Sequence, residues 1–177
     1  MSERTTDCLL GGRRLLAAAL VGVFLLACGG MDRHEIRDGG FAANFPGEPS
    51  KEIDVVETPA GVGTRATYAW SSFFSQVSYE VAVTDLPVGA GALTKSTGIN
   101  VWGELGKEGY SGGEVVKGAD VTAGNLKGQE AQIVFPDRSK TIHRVFCVGD
   151  RVYRVALRTT ASDTDLHTDY FNGFAVL

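Results

Sequence analysis

Gly149-Asp150 constrains this chain more tightly than any other pair of residues. It lies between Thr141–Val148 and Arg151–Thr159, two runs rich in β-branched and aromatic side chains. A two-residue junction of this kind between such runs signals a β-hairpin and fixes its register. Val148 is then expected opposite Arg151, Phe146 opposite Tyr153, Arg144 opposite Val155 and Ile142 opposite Leu157. Side chains alternate across a strand, so these eight share one face, apolar apart from Arg144 and Arg151. The other face carries Thr141, His143, Val145 and Cys147 against Val152, Arg154, Ala156 and Arg158.

Further strands are expected at Phe41–Phe45, stopped by Pro46-Gly47, and at Lys51–Glu57 and Thr64–Trp70, paired around Thr58–Gly63. Val77–Asp85 has the clearest period of two, with Val77, Tyr79, Val81 and Val83 on one side and Ser78, Glu80, Ala82 and Thr84 on the other. Glu114–Val121 and Leu126–Phe135 complete the strand-like runs. The 23 glycines among 177 residues are nearly twice the usual share of about 7% and fall between short apolar runs, as turns in a sheet-rich fold would. Ala92–Tyr110 is the segment expected to form a main helix, with Ile99, Trp102 and Leu105 near helical spacing. Ser162-x-x-Asp165 reads as a capping box for a short C-terminal helix. The expected fold class is α+β: one antiparallel sheet of about six to eight strands, with the main helix and the short C-terminal helix packed on it.

The N-terminus reads as an address. Arg13-Arg14 precedes thirteen apolar residues, Leu15–Ala27, too few for the ~20 that a spanning helix needs but suited to a signal-peptide core. The run ends Leu25-Leu26-Ala27-Cys28, which resembles the bacterial lipobox, in which cleavage before the cysteine leaves that residue carrying lipid. An ordinary secretory signal with a chance cysteine is the plainer alternative. Residues 1–27 are therefore expected to be a lipoprotein signal peptide, 28–40 a lipidated cysteine with a flexible polar tether, and 41–177 a single domain. Acylation of Cys28 with palmitate-type chains, two or more of them, holds a protein stably at a bilayer. The expected location is the cell envelope, on the inner or outer membrane, with the domain outside the cytoplasm and the membrane as a partner. Only Cys147 would remain as a thiol, so stability must come from the core without a disulfide.

Charge and motifs exclude several function classes. The full chain carries 17 bases and 21 acids; the leader removes three bases and two acids, leaving 14 and 19, a net −5. A mildly acidic domain without a basic tract is not a nucleic-acid binder. His34, His143 and His167 lack the spacing of a metal site, and Ser111-Gly112-Gly113 is not a nucleophile elbow. No glycine-rich phosphate loop has its lysine, so no cofactor is expected. With a loop of Pro136-Asp137-Arg138-Ser139, Glu130 and Gln132 join His143, Arg154 and Arg158 in a polar patch on the second face of the sheet. That patch is either a recognition surface for an anionic group, with His143 as a titrating member, or a solvated sheet face laced with cross-strand pairs. Arg144, on the apolar face, must reach a carboxylate, a carbonyl or solvent.

Four segments carry a family resemblance: Phe41-Ala-Ala-Asn-Phe45-Pro46-Gly47, Tyr79-Glu-Val-Ala-Val-Thr-Asp85-Leu-Pro87, Val148-Gly-Asp-Arg-Val-Tyr-Arg-Val155 and Phe171-Asn-Gly-Phe174. Their order resembles the PsbP-like superfamily, which includes photosystem accessory proteins, a small Ran-binding protein and bacterial envelope lipoproteins. The resemblance implies a sheet flanked by helices that serves as a binding or assembly module, and it implies no site residues. The expected function is thus a membrane-anchored, non-enzymatic module that binds an envelope protein or component. A hydrolase or other enzyme using the face around His143, and a small-molecule carrier, are the alternatives from other classes.

Overall fold

Val77–Asp85 forms a strand over its whole expected length, and both of its faces are lined. Val77, Tyr79, Val81 and Val83 are buried in one core, while Ala82 and Thr84 on the reverse side are buried as well. A strand apolar in both directions belongs inside a sheet with cover on each side. The computed structural model describes residues 30–58, 60–73, 76–90, 112–160 and 164–177. Met31–Leu177 forms one compact unit.

Its strands are β1 (Asp32–Ile36), β2 (Phe41–Phe45), β3 (Ser50–Thr58), β4 (Gly61–Ser72), β5 (Val77–Asp85), β6 (Glu114–Ala123), β7 (Leu126–Val134), β8 (Lys140–Val148), β9 (Arg151–Thr159) and β10 (Ala175–Val176). One short helix, α1 (Thr164–Asn172), precedes β10. Seven strands form an antiparallel sheet in the order β3-β4-β5-β9-β8-β7-β6, and three form a small sheet, β1-β2-β10.

This corrects the expected α+β class. The regular structure of the described residues is nearly all strand, in two sheets, with one short helix in place of a main helix packed on a single sheet. Ala92–Tyr110, expected to be that main helix, lies outside the described residues, as does Ser162 of the expected capping box. The second sheet leaves little mark on the sequence: β1 is polar, β10 spans two residues, and both are held by backbone pairing to β2. The expected tether is corrected with it: Asp32–Ile36 is strand, paired from Asp32↔Phe45 to Ile36↔Phe41.

The core lies between the small sheet with α1 and one face of the large sheet. Phe41 of β2 meets Tyr68 edge-on at 5.3 Å, Phe174 stacks on Phe146 at 5.4 Å, and Tyr170 meets Tyr79 at 4.9 Å. We call this the aromatic face. Tyr170 is fully buried and donates its hydroxyl to the Glu80 carbonyl at 2.7 Å; burial pushes its pKa well above the usual phenol value. Arg33 donates to the Gly173 carbonyl at 3.0 Å and Asn44 to that of Asp169 at 3.1 Å, fastening the helix to the small sheet. On adjacent strands of the large sheet, the Arg151 guanidinium grips Asp85 through two hydrogen bonds, at 2.5 and 2.9 Å, and reaches the Gly39 carbonyl at 3.3 Å.

Candidate functional site

The β8–β9 hairpin has the register that Gly149-Asp150 dictates: Val148↔Arg151, Phe146↔Tyr153, Arg144↔Val155 and Ile142↔Leu157. Its two faces therefore hold the residues assigned to them. The neighbouring hairpin differs by a single residue. Val134 pairs with Lys140, which leaves a five-residue loop, Phe135–Ser139. Phe135 donates to the Ser139 carbonyl and Arg138 to that of Phe135, both at 2.9 Å. Asp137 accepts from the Ser139 amide at 2.9 Å and from its hydroxyl at 2.6 Å, and these bonds lower the Asp137 pKa. The extra residue is absorbed by Arg138 at φ 66°, a left-handed conformation that few side chains adopt.

One residue of slip turns every side chain over. Glu130 lies opposite Arg144 and Gln132 opposite Ile142, so both belong to the aromatic face and neither joins His143. The expected five-residue patch is thus split: His143, Arg154 and Arg158 share the second face, while Glu130 and Gln132 lie on the reverse.

Nor is the second face a solvated one. His143 is 3% exposed, flanked by Ala131 at 1%, Val145 at 4% and Ala156 at 6%. Burial, with the Arg154 charge adding to it, lowers the His143 pKa to about 3, so the imidazole stays neutral through the physiological range. Arg154 is ion-paired with Glu80 of β5. Arg158, half exposed, lies 3.9 Å from Asp137 and 5.1 Å over the Phe135 ring. These cations already have their counter-ions, which leaves little charge to recruit an anion.

A different cluster forms on the aromatic face. Arg144 bonds Glu130 across the strands at 2.8 Å, the two side chains 22% and 17% exposed, and its guanidinium covers the Phe171 ring at 4.4 Å. The arginine placed on an apolar face thus finds both a carboxylate and an aromatic plane. Beside it, a groove of about 740 Å³ runs between the β6–β7 hairpin and the end of α1, lined by Asp120, Val121, Thr122, Lys127, Gly128, Gln129, Arg144 and Asn172. Gly128 forms part of its floor because Phe146 packs where a Cβ would stand, 2.5 Å away. Sequence reasoning missed this groove; the available signal was Glu130, which a loop one residue longer brings opposite Arg144. Among the described residues no group of three His, Cys, Asp or Glu side chains could hold a metal ion, and no helix is long and apolar enough to cross a membrane. Ala27 and Cys28 lie outside the described residues.

The chain is similar in fold to the solution structure of cyanobacterial PsbP (CyanoP) from Synechocystis sp. PCC 6803, with a TM-score of 0.51 over 84% of this chain and 94% of that one. The fold is PsbP-like. At 12% identity the match speaks for architecture alone. Neither a protein-family model nor a curated protein sequence matches the chain.

Proposed function

We propose that this PsbP-like domain belongs to a bacterial envelope lipoprotein, cleaved after Ala27 and acylated at Cys28, that binds an envelope protein and catalyses no reaction. The observation that carries the address is Leu25-Leu26-Ala27-Cys28 closing an apolar run too short to span. The polar groove between the β6–β7 hairpin and α1 is the docking site, since the second face is buried where His143 stands. Its mixed lining of Asp120, Lys127 and Arg144 suits a polar segment of a partner protein.

Two features speak against a catalytic use of His143. It is buried, and with a pKa of about 3 it is far from the operating range of a general acid or base. A carrier of small apolar molecules calls for an enclosed apolar cavity, whereas this groove is open and lined by charged groups.

Mass spectrometry of the membrane-extracted protein is expected to show a chain that starts at Cys28 and bears acyl chains. A photo-crosslinker in place of Gln129 is expected to capture an envelope protein, and the same group in place of Glu52, on the distant β3, is not. Equal capture at both positions would remove the groove as the docking site, and an unmodified Cys28 would remove the anchor.

A further inference from the structure

We propose that the end of the large sheet bearing the β4–β5 turn rests on the lipid bilayer, with Phe73 seated in the interfacial layer; this rests on the Cys28 anchor proposed above. The argument begins with the leash. Met31 already packs against the core, and β1 begins at Asp32. Three residue steps separate Cys28 from Met31, a reach of at most about 10 Å. A domain leashed so closely must present to the membrane the end from which β1 starts.

The contacts of β2 identify that end. Asp32 pairs with Phe45, which packs on Tyr170 at 6.0 Å, and Gly47 lies against the Trp70 indole. Trp70 is near the close of β4, which runs to Ser72, and Phe73 follows in the turn. Phe73 is 92% exposed, a large apolar side chain at the end nearest the lipid. Val62 and Val88 are also exposed, but they lie at the opposite ends of β4 and β5. The nine residues of β5 separate the two ends by about 30 Å, so the far end is beyond the leash.

Charge sets the character of the contact. The same rim carries Arg138, Lys140 and Arg158, offset by Glu114 and Asp137, and Arg158 already faces Asp137 at 3.9 Å. Little net charge remains to draw anionic headgroups, so the ring supplies the contact. Aromatic side chains favour the interfacial depth, and an apolar contact of this kind is insensitive to salt.

The full processed lipoprotein, with Cys147 replaced by Ser, would carry a nitroxide at Ser71→Cys or, separately, at Val88→Cys. It would be reconstituted in phosphatidylcholine vesicles with and without phosphatidylglycerol. The label at 71 is expected to be relaxed by oxygen and shielded from an aqueous nickel complex, and the label at 88 the reverse, in both lipids and in molar salt. Phe73→Asp, at an exposed position that leaves the core intact, is expected to reduce the membrane-contacting population by roughly tenfold or more. Equal nickel access at 71 and 88, with acyl mass on Cys28 confirmed, would overturn the orientation while leaving the anchor in place. Absence of the acyl mass would instead overturn the anchor.

Discussion

A buried neutral histidine makes the fold sensitive to acid in a window that carboxylates do not touch. His143 has a folded pKa of about 3 against about 6.5 in the unfolded chain. Below pH 6.5 the unfolded state binds a proton that the folded state refuses, so the stability due to this site is complete above that value and falls as pH drops toward 3. Integrated over one proton, the loss is about 2 kcal/mol at pH 5 and about 3 kcal/mol at pH 4. For a domain of this size, 2 kcal/mol corresponds to a fall in Tm of roughly 4–8 °C. Asp38, lowered by its bond to Lys51, and Asp137, lowered by Ser139, act in the same direction but only as pH falls through and below the usual aspartate range near 3.8. The interval from pH 7 to 5 therefore isolates the histidine. Urea unfolding of residues 29–177 at half-unit steps, followed by circular dichroism, should give this slope, and His143→Gln should flatten it. An unchanged slope in the variant, or a His143 resonance that titrates near 6.5 in the folded protein, would refute the reasoning.

Other expectations follow from single contacts. Arg144→Met strands Glu130, which is 17% exposed, and should cost about 2–4 kcal/mol; the double variant with Glu130→Leu should recover most of it, so a double-mutant cycle showing no coupling would dissolve the pair. Gly128→Ala places a methyl 2.5 Å from the Phe146 ring and the Val145 carbonyl and should destabilise by about 1–3 kcal/mol, read from the urea midpoint. Tyr170→Phe removes the 2.7 Å bond to the Glu80 carbonyl and should cost about 1–2 kcal/mol in the same assay.

Where side chains carry the signal, the chain announces its own structure. Val77–Asp85 and Arg151–Thr159 form strands with the expected bounds because their alternation and their flanking turns agree. The two faces of the β8–β9 hairpin were legible because Gly149-Asp150 admits one register. The candidate patch failed on a question that composition does not answer, whether four or five residues bridge β7 and β8. The deciding residue, Arg138, takes a left-handed conformation more usual for glycine or asparagine. The second sheet was hidden for a related reason: Asp32-Arg-His-Glu-Ile36 reads as solvent-loving, and only the backbone of Phe41–Phe45 beside it makes it a strand. Burial of His143 was foreshadowed by Val145 and Ala156, apolar neighbours on its own hairpin face, and the longer loop adds Ala131 beside them.

Among the described residues the seven-stranded sheet ends in two margins, β3 and β6, and a strand margin can recruit a passing strand through its outward backbone groups. On β3 the exposed positions include Lys51, Glu52, Asp54 and Glu57, interleaved with Ile53 and Val55; on β6 they include Glu114 and Asp120. A second copy brought to either margin sets mostly acidic side chains against acidic ones before backbone pairing can begin, so the charge at these margins opposes the strand addition that their geometry invites.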